Sequence, residues 1–232
     1  MVKLSILMPA YNEERSIAEI ISLVDKVNLS RVNVDKELVV VDDGSKDRTV
    51  EIIRALQRKY DYIKLIKHEK NKGKGAAVKT AIKNATGDIM IIQDADLEYD
   101  PRDYPKCIMP ILEKRAKVVY GSRFAAKNNH VVYKVNWLAT RFLDCVTGVL
   151  YFKRVSDIYT CYKTFDSETL RSVEAEGDRF DWEIEVTAKL LKNGVKIYKV
   201  PISYYSRSFD EGKKIGWRDG VQAAWTLVRY RF

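Results

Sequence analysis

The sequence predicts an α/β fold: one domain built on an open, mostly parallel sheet with helices on both faces. Three observations predict it. Strand-like and helix-like periodicities alternate over the first ~120 residues, as in a βαβ progression. The strand candidate "ELVVVDD" is apolar on both faces, as central parallel strands are. Finally, "DDGS" (Asp42–Ser45) and "DAD" (Asp94–Asp96) both follow strand candidates. Ligands of such sheets sit at that carboxyl edge.

The elements follow in order. "KLSILMP" is a first strand, and its short apolar run, broken by Pro9 and acids, does not read as a signal peptide. Ile17, Ile20, Ile21 and Val24 recur at i, i+3, i+4 and i+7, which predicts a one-faced helix with Asn12 as its cap. "ELVVVDD" is a strand, and a helix spans about Thr49 to Tyr60. Strand "IKLIK", a helix from about Gly75 to Ala85, and strands "DIMIIQD" and "AKVVYGS" complete the series. The second half is less regular. Trp137 to Phe152 places Leu138, Phe142, Cys145, Val149 and Phe152 on one helical face, Phe180 to Leu191 is a second amphipathic helix, and "VKIYKVPISY" is a strand. No composition break justifies a domain boundary.

Composition bounds the function. With 232 residues the chain supports one large domain with a real core. Cys107, Cys145 and Cys161 are widely spaced, which argues against a disulfide framework or a zinc site and favours a reducing compartment. The net charge of +9 gathers in two regions: Lys64–Lys83 holds seven Lys against one Glu, and Arg207–Arg231 holds six bases against three acids. Such patches serve nucleic acid, anionic lipid or a phosphate-bearing ligand. A nucleic-acid-binding module would explain the charge, but the chain has no recognition-helix, RNP or zinc signature.

The acids narrow the choice. In "IMIIQDADLEYD" an acid stands at every second position from Asp94 to Asp100. In an extended chain residues i and i+2 share a face, so Asp94 and Asp96 are expected to converge and to require a cation between them. An EF-hand is excluded, because its glycine and glutamate positions are Tyr99 and Pro105 here. Two carboxylates suit Mg²⁺ or Mn²⁺ completed by phosphate oxygens and water. "NKGKGAAVKTAI" fits the same chemistry: Gly73 and Gly75 allow close backbone approach before a helix N-terminus, and Lys72 and Lys74 add positive charge. Neither a Walker loop nor "GxGxxG" is present. A nucleoside diphosphate held by metal remains.

"VDDGSKDRT", "NKGKGAAV" and "DADLE", in that order, resemble glycosyltransferase family 2, the inverting GT-A fold. "GSRF", "DIYTCYKTF", "FDWEIEVTAKL" and "KVPISYYSR" resemble its polyprenyl-phosphate (dolichyl-phosphate) sugar synthase branch. The resemblance covers nearly the whole chain and implies a division of labour: 1–120 binds the nucleotide-sugar, 121–210 the acceptor, and 211–232 is an amphipathic C-terminal segment. It implies that Pro9, Ala10, Tyr11 and Glu13 line the nucleoside pocket. Asp43, with Asp42 beside it, would accept from an N–H of uracil or guanine, while capping of the following helix accounts equally well for one of the two. Lys74 and Ala95 would lie by the nucleotide, Asp94 and Asp96 would hold the metal with Glu98 as a third ligand, and Arg123 would meet a phosphate. Asp157 would be the general base, with Asp181 or Glu183 in reserve. Glu98 stands where some mannosyl-transferring relatives carry Gln, so the sugar (glucose, mannose or related) stays open, and "CYK" stands where many relatives read "CGFK".

The resemblance points to a polyprenyl phosphate as acceptor on the cytoplasmic face of the membrane. A hydroxyl of a glycan or small molecule is the alternative. A nucleotidyltransferase is disfavoured, since "PAYNEE" replaces a glycine-rich loop after strand one. The C-terminal run alternates Ile215, Trp217, Val221, Ala224, Trp225 and Val228 with Lys213, Lys214, Arg218, Arg229 and Arg231. It is too short to span a bilayer and predicts peripheral membrane contact, shared with Trp137–Phe152.

Overall fold

The computed structural model describes residues 1–126, 129, 134–153, 155–206 and 217–232, the side chains of 134–136, 217–219 and 221 excepted. Lys213, Lys214 and Ile215, and the side chains of Trp217, Arg218 and Val221, therefore lie outside the described residues.

Strands β1 (Val2–Ala10), β2 (Val34–Asp42), β3 (Ile63–Lys67), β4 (Ile89–Ile92), β5 (Val118–Ser122), β6 (Lys163–Asp166) and β7 (Ile197–Pro201) form one sheet in the order β3-β2-β1-β4-β6-β5-β7. The chain runs outward from β1 through β2 to β3, then returns to lay β4 on the other side of β1, all in parallel. That reversal opens a crevice at the carboxyl ends of β1 and β4, where ligands of doubly wound sheets bind. The mostly parallel sheet has one reversed strand, β6, which pairs antiparallel with both β4 and β5. Because β6 runs backwards, its first residue, Lys163, comes to the same edge as the carboxyl ends of β1, β2, β4 and β5.

Helix α1 (Ile17–Lys26) buries the four residues the spacing singled out, Ile17, Ile20, Ile21 and Val24. Full burial of an aliphatic side chain is worth about 1.5–3 kcal/mol each. Asn12 does not cap this helix. It takes φ 55° and instead ties two loops together, donating its N–H to Ser45 Oγ at 2.9 Å and accepting the Lys46 N–H at 2.8 Å. Helix α2 (Thr49–Gln57) follows β2, α3 (Lys74–Asn84) packs on β1 and β2, and α4 (Tyr104–Leu112) packs on β5, β6 and β7.

Helix α5 (Lys134–Tyr151) turns over the expected rule. Leu138, Phe142, Cys145, Val149 and Phe152 do share a face, but that face points outward, with Leu138 64%, Phe142 62% and Val149 67% exposed. Thr140, Asp144, Thr147 and Tyr151 face inward at helical spacing. Asp144 is inside because it accepts the N–H groups of Asp157 at 3.0 Å and Ile158 at 3.1 Å, holding a loop with no ladder partner of its own. Tyr151 donates its hydroxyl to the Leu227 carbonyl on α8 (Trp217–Arg231) at 2.8 Å. Trp225 and Phe232 of that C-terminal stretch are 66% and 91% exposed, so α5 and α8 present apolar surface side by side. Helix α6 (Ser167–Arg171) packs on β4 and β6, and α7 (Asp181–Lys192) packs against α8 and α5.

Candidate active site

The acids after β4 do not line one face of a strand. β4 stops at Ile92 and the chain bends through 95–98, so each acid finds a different partner. Gln93, fully buried, anchors the bend: its Oε1 accepts from Tyr104 at 2.7 Å and Tyr162 at 2.6 Å, and its Nε2 donates to the Asp94 carbonyl at 3.0 Å. Asp94 faces Lys74. Asp96 accepts the Glu98 N–H at 3.0 Å, an Asx turn that fixes its own carboxylate. Asp100 grips the Arg102 guanidinium and caps its N–H at 2.9 Å. Burial raises the Cys161 thiol pKa well above its usual value, and the Asp94 and Asp96 carboxylates lie close enough to push it further.

Lys74, first residue of α3, reaches into this space. Its ammonium lies 2.7 Å from Asp94 Oδ1, 2.9 Å from Oδ2 and 2.7 Å from Glu183 Oε1. Burial works against its charge, yet Asp94 and Glu183 outweigh it and hold the pKa well above the ordinary lysine value. Glu183 in turn meets Lys163, wholly buried, at 3.4 Å. Desolvation of Glu183 is overcome by these two ammoniums, so its pKa is lowered, whereas burial lowers that of Lys163 against the pull of Glu183.

Two glycines make the approach of α3 to α7 possible. Gly73 has φ 102°, a conformation that costs other residues strain. A Cβ on Gly75 would stand 2.7 Å from both the Gly177 carbonyl oxygen and Trp182 Cβ. Gly75→Ala is therefore expected to destabilise the fold by about 2 kcal/mol or more through overpacking against backbone. In a chain of this size that lowers Tm by roughly 4–8 °C, measurable by calorimetry.

At the end of β2 the two acids part company. Asp43 accepts the N–H groups of Lys72 at 3.0 Å and Gly73 at 2.7 Å, and His68 Nδ1 lies 2.7 Å from it. Both its oxygens thus hold the glycine–lysine loop in place. Asp43 is 3% exposed. Asp42 accepts the Ser45 N–H at 3.2 Å through Oδ2, and its buried Oδ1 has no hydrogen-bond partner among the described residues. Neither acid caps α2, which begins after Arg48 without a side-chain cap. Pro9 and Ala10 end β1 beside Val41 and Asp42, with Ala10 buried and Tyr11 half-buried just beyond. Glu13 donates its N–H to Thr49 Oγ1 at 2.8 Å and accepts from Ser16 at 2.8 Å.

On the other side of the crevice Arg123 and Asp157 form a closed pair. Arg123 donates from Nη2 to Oδ1 at 2.6 Å, from Nε to Oδ2 at 3.0 Å and from its backbone N–H to Oδ2 at 2.8 Å. Burial opposes the guanidinium charge, but Asp157 raises its pKa well above the ordinary value. Asp157 is fully buried at φ 63°. Both Asp157 oxygens are thus engaged by Arg123. By the same contact, the forked edge of Arg123 that would grip a phosphate already grips a carboxylate. The ring of Tyr204 lies under the guanidinium at 5.1 Å, and the Tyr204 hydroxyl donates to Glu98 at 3.0 Å. Glu98 is thus turned toward Tyr204 and does not complete a triad with Asp94 and Asp96. Asp181 accepts the N–H groups of Arg179 at 2.9 Å and Trp182 at 3.1 Å at the start of α7, the part of a helix-starting acid.

The family model described as Glycosyl transferase family 2 matches residues 5–173. The chain belongs to that family. Two curated relatives are each 32% identical to it. One is the UDP-N-acetylglucosamine–dolichyl-phosphate N-acetylglucosaminyltransferase of Methanococcus voltae, with 85% of this chain and 83% of that protein covered. The other is the dolichol-phosphate mannosyltransferase of Pyrococcus furiosus, with 93% of this chain and 60% of that protein covered. Among solved structures, glucosyl-3-phosphoglycerate synthase from Mycobacterium tuberculosis superimposes with a TM-score of 0.74 at 24% identity, over 99% of this chain and 80% of that one. Its complex with Mn²⁺, UDP and glucosyl-3-phosphoglycerate gives a TM-score of 0.73 at 21% identity over the same shares. The architecture is that of the GT-A glycosyltransferases.

In this family 2 glycosyltransferase the carboxylates after β4, Asp94 and Asp96, are oxygen donors of the kind a divalent ion takes. Asp94 already takes a cationic group, the Lys74 ammonium, on both oxygens. Among the described residues no group of three or more His, Cys, Asp or Glu could hold a metal. A divalent ion here therefore needs further oxygens, which phosphates and water supply. Sequence reasoning missed Gln93, Tyr204 and the buried Lys163, and it offered Glu183 only as a reserve base. A lysine opening a strand, KTFD, beside an otherwise apolar stretch was the available signal for Lys163.

Proposed function

We propose that the chain is an inverting, metal-dependent hexosyltransferase that moves a sugar from a UDP- or GDP-sugar to a polyprenyl phosphate at a membrane surface. The observation that carries the acceptor is the likeness to two relatives that are each named as a dolichyl-phosphate sugar transferase. The closed Arg123–Asp157 pair supports it. A hydroxyl acceptor needs a base within reach, whereas a lipid phosphate is ionised at neutral pH and needs positioning and charge compensation.

In this reading the 1–120 half binds the nucleotide between the β1 and β2 loops and the amino end of α3, and residues 121–210 receive the acceptor. Asp94 and Asp96 would hold the Mg²⁺ or Mn²⁺, which when bound neutralises the leaving diphosphate. Lys74 adds a tethered positive charge at the same diphosphate, and Gln93 keeps the bend rigid. The acceptor oxygen forms a bond to the anomeric carbon as the bond to the nucleoside diphosphate breaks, and the bonding pair leaves with the diphosphate. The outward apolar faces of α5 and α8, bordered by Arg141, Arg229 and Arg231, suit the interfacial zone of a bilayer. No helix among the described residues is long and apolar enough to cross one.

The test is a panel of UDP- and GDP-sugars with Mn²⁺, assayed for transfer to polyprenyl phosphate in anionic liposomes. One donor is expected to give a lipid-linked sugar product that floats with the vesicles, and the protein with it. Transfer only to water-soluble hydroxyl acceptors would overturn the lipid acceptor, and no transfer from any donor would overturn the enzyme.

A further inference from the structure

We infer that Lys74 is the resident counter-cation of the metal site: it holds Asp94 until a nucleoside diphosphate arrives, and thereby excludes a divalent ion that comes alone. The inference rests on the reading of Asp94 and Asp96 as the metal-holding pair and adds an order to their loading.

The geometry that points there is specific. The Lys74 ammonium lies within 2.9 Å of both Asp94 oxygens, the space a divalent ion would need at a bond of about 2.1 Å. Lysine is also electrostatically misplaced at the first position of α3, where the helix dipole is positive, so it stays only because carboxylates face it. Glu183 is one of those, and Lys163 holds Glu183 from behind. Glu183 Oε1 offers the Lys74 ammonium a second carboxylate at 2.7 Å, so the ammonium keeps one anionic partner if it leaves Asp94.

Charge balance sets the order. Asp94 and Glu183 against Lys74 and Lys163 make a neutral cluster, with Lys163 and Glu183 buried. A dication entering alone would overcharge a poorly solvated pocket and repel the ammonium at short range. A diphosphate entering with the dication restores the balance and offers Lys74 a new partner. Lys74 then passes from Asp94 to phosphate oxygen, and Asp94 passes from Lys74 to the ion. The chain would load metal and nucleotide together, and the same lysine would reclaim Asp94 once the diphosphate leaves.

The test measures Mn²⁺ binding to the full chain by the loss of the free-ion paramagnetic resonance signal, with and without UDP or GDP. The wild type is expected to bind Mn²⁺ weakly alone and at least tenfold more tightly with nucleotide. Lys74→Met, which keeps the stem and removes the charge, is expected to bind Mn²⁺ alone at least tenfold more tightly than the wild type. Lys74→Arg is expected to stay weak. Equal or weaker binding of Mn²⁺ alone to a folded Lys74→Met overturns the inference. If neither nucleotide changes Mn²⁺ binding by the wild type while Lys74→Met still gains affinity, the nucleotide-sugar reading fails and the counter-cation stands. Should Lys74→Met not fold, a crystal structure of the wild type with Mn²⁺ and UDP decides. Lys74 Nζ is expected on the diphosphate and away from Asp94, and an ammonium still bonded to Asp94 beside bound Mn²⁺ would overturn it.

Discussion

Asp96→Asn is expected to lower sugar transfer by about three orders of magnitude while moving Tm by no more than a few degrees. The two effects separate because the side chain has two tasks. Its Oδ1 accepts the Glu98 N–H and shapes the bend, and the amide oxygen of asparagine can do the same. Its negative charge belongs to the proposed function: it helps to retain the cation that faces the leaving diphosphate. Loss of such electrostatic stabilisation removes several kcal/mol of barrier lowering, and about 1.4 kcal/mol corresponds to each tenfold in rate. Raising Mn²⁺ should recover part of the loss if the defect lies in retention of the ion. Asp100→Asn is the matched control. Asp100 grips Arg102 and caps the turn at 101–103, so its loss should cost stability and leave the rate near wild type. Steady-state rates at two Mn²⁺ concentrations, with calorimetry on each variant, provide the check. Wild-type turnover by Asp96→Asn would remove Asp96 from the site.

That contrast also marks how much of the site was legible in the sequence. The parallel half was, because β1, β2 and β4 are buried on both faces and so read as continuous apolar runs. The acids were legible as a group and misread as a row. Alternation implies a shared face only while the chain stays extended, and β4 ends at Ile92, before the first of them. Helix α4 was hidden by Pro105 and Pro110 within nine residues, and Pro110 sits inside it. β6 is four residues long and begins with a buried lysine, so neither its length nor its pattern announced a strand. The inward polar face of α5 was unreadable for a different reason. Its spacing is helical either way, and what turns Thr140, Asp144 and Thr147 inward is the 157–158 loop, a tertiary partner far along the chain. Asp43 shows the same limit. A carboxylate after a strand serves a ligand or a loop equally well, until the Lys72 and Gly73 N–H groups are seen to occupy it.

The Arg123–Asp157 pair yields the largest expected effect on stability, and it separates positioning from base catalysis. Arg123→Met leaves the fully buried Asp157 carboxylate without its counter-charge. Breaking a buried pair from one side costs about 3–5 kcal/mol, which in a domain of this size lowers Tm by roughly 10 °C or more. The choice of substitution at 157 matters because the residue sits at φ 63°, where asparagine is tolerated and alanine adds strain of its own. Asp157→Asn keeps an oxygen for Arg123 and the backbone conformation, so its cost should be the smaller of the two. In the double variant Arg123→Met/Asp157→Asn no uncompensated charge remains, and the two costs should fall short of additive by 1 kcal/mol or more. The rate then discriminates the roles. If Asp157 took the acceptor's proton, Asp157→Asn would abolish the acidic limb of the pH–rate profile together with most of the activity. If it orients Arg123, the variant should lose rate without losing that limb, and the loss should track that of Arg123→Met. Calorimetry of the four proteins and a pH–rate profile of Asp157→Asn decide the matter, and a profile flattened on its acidic side would return Asp157 to the part of base.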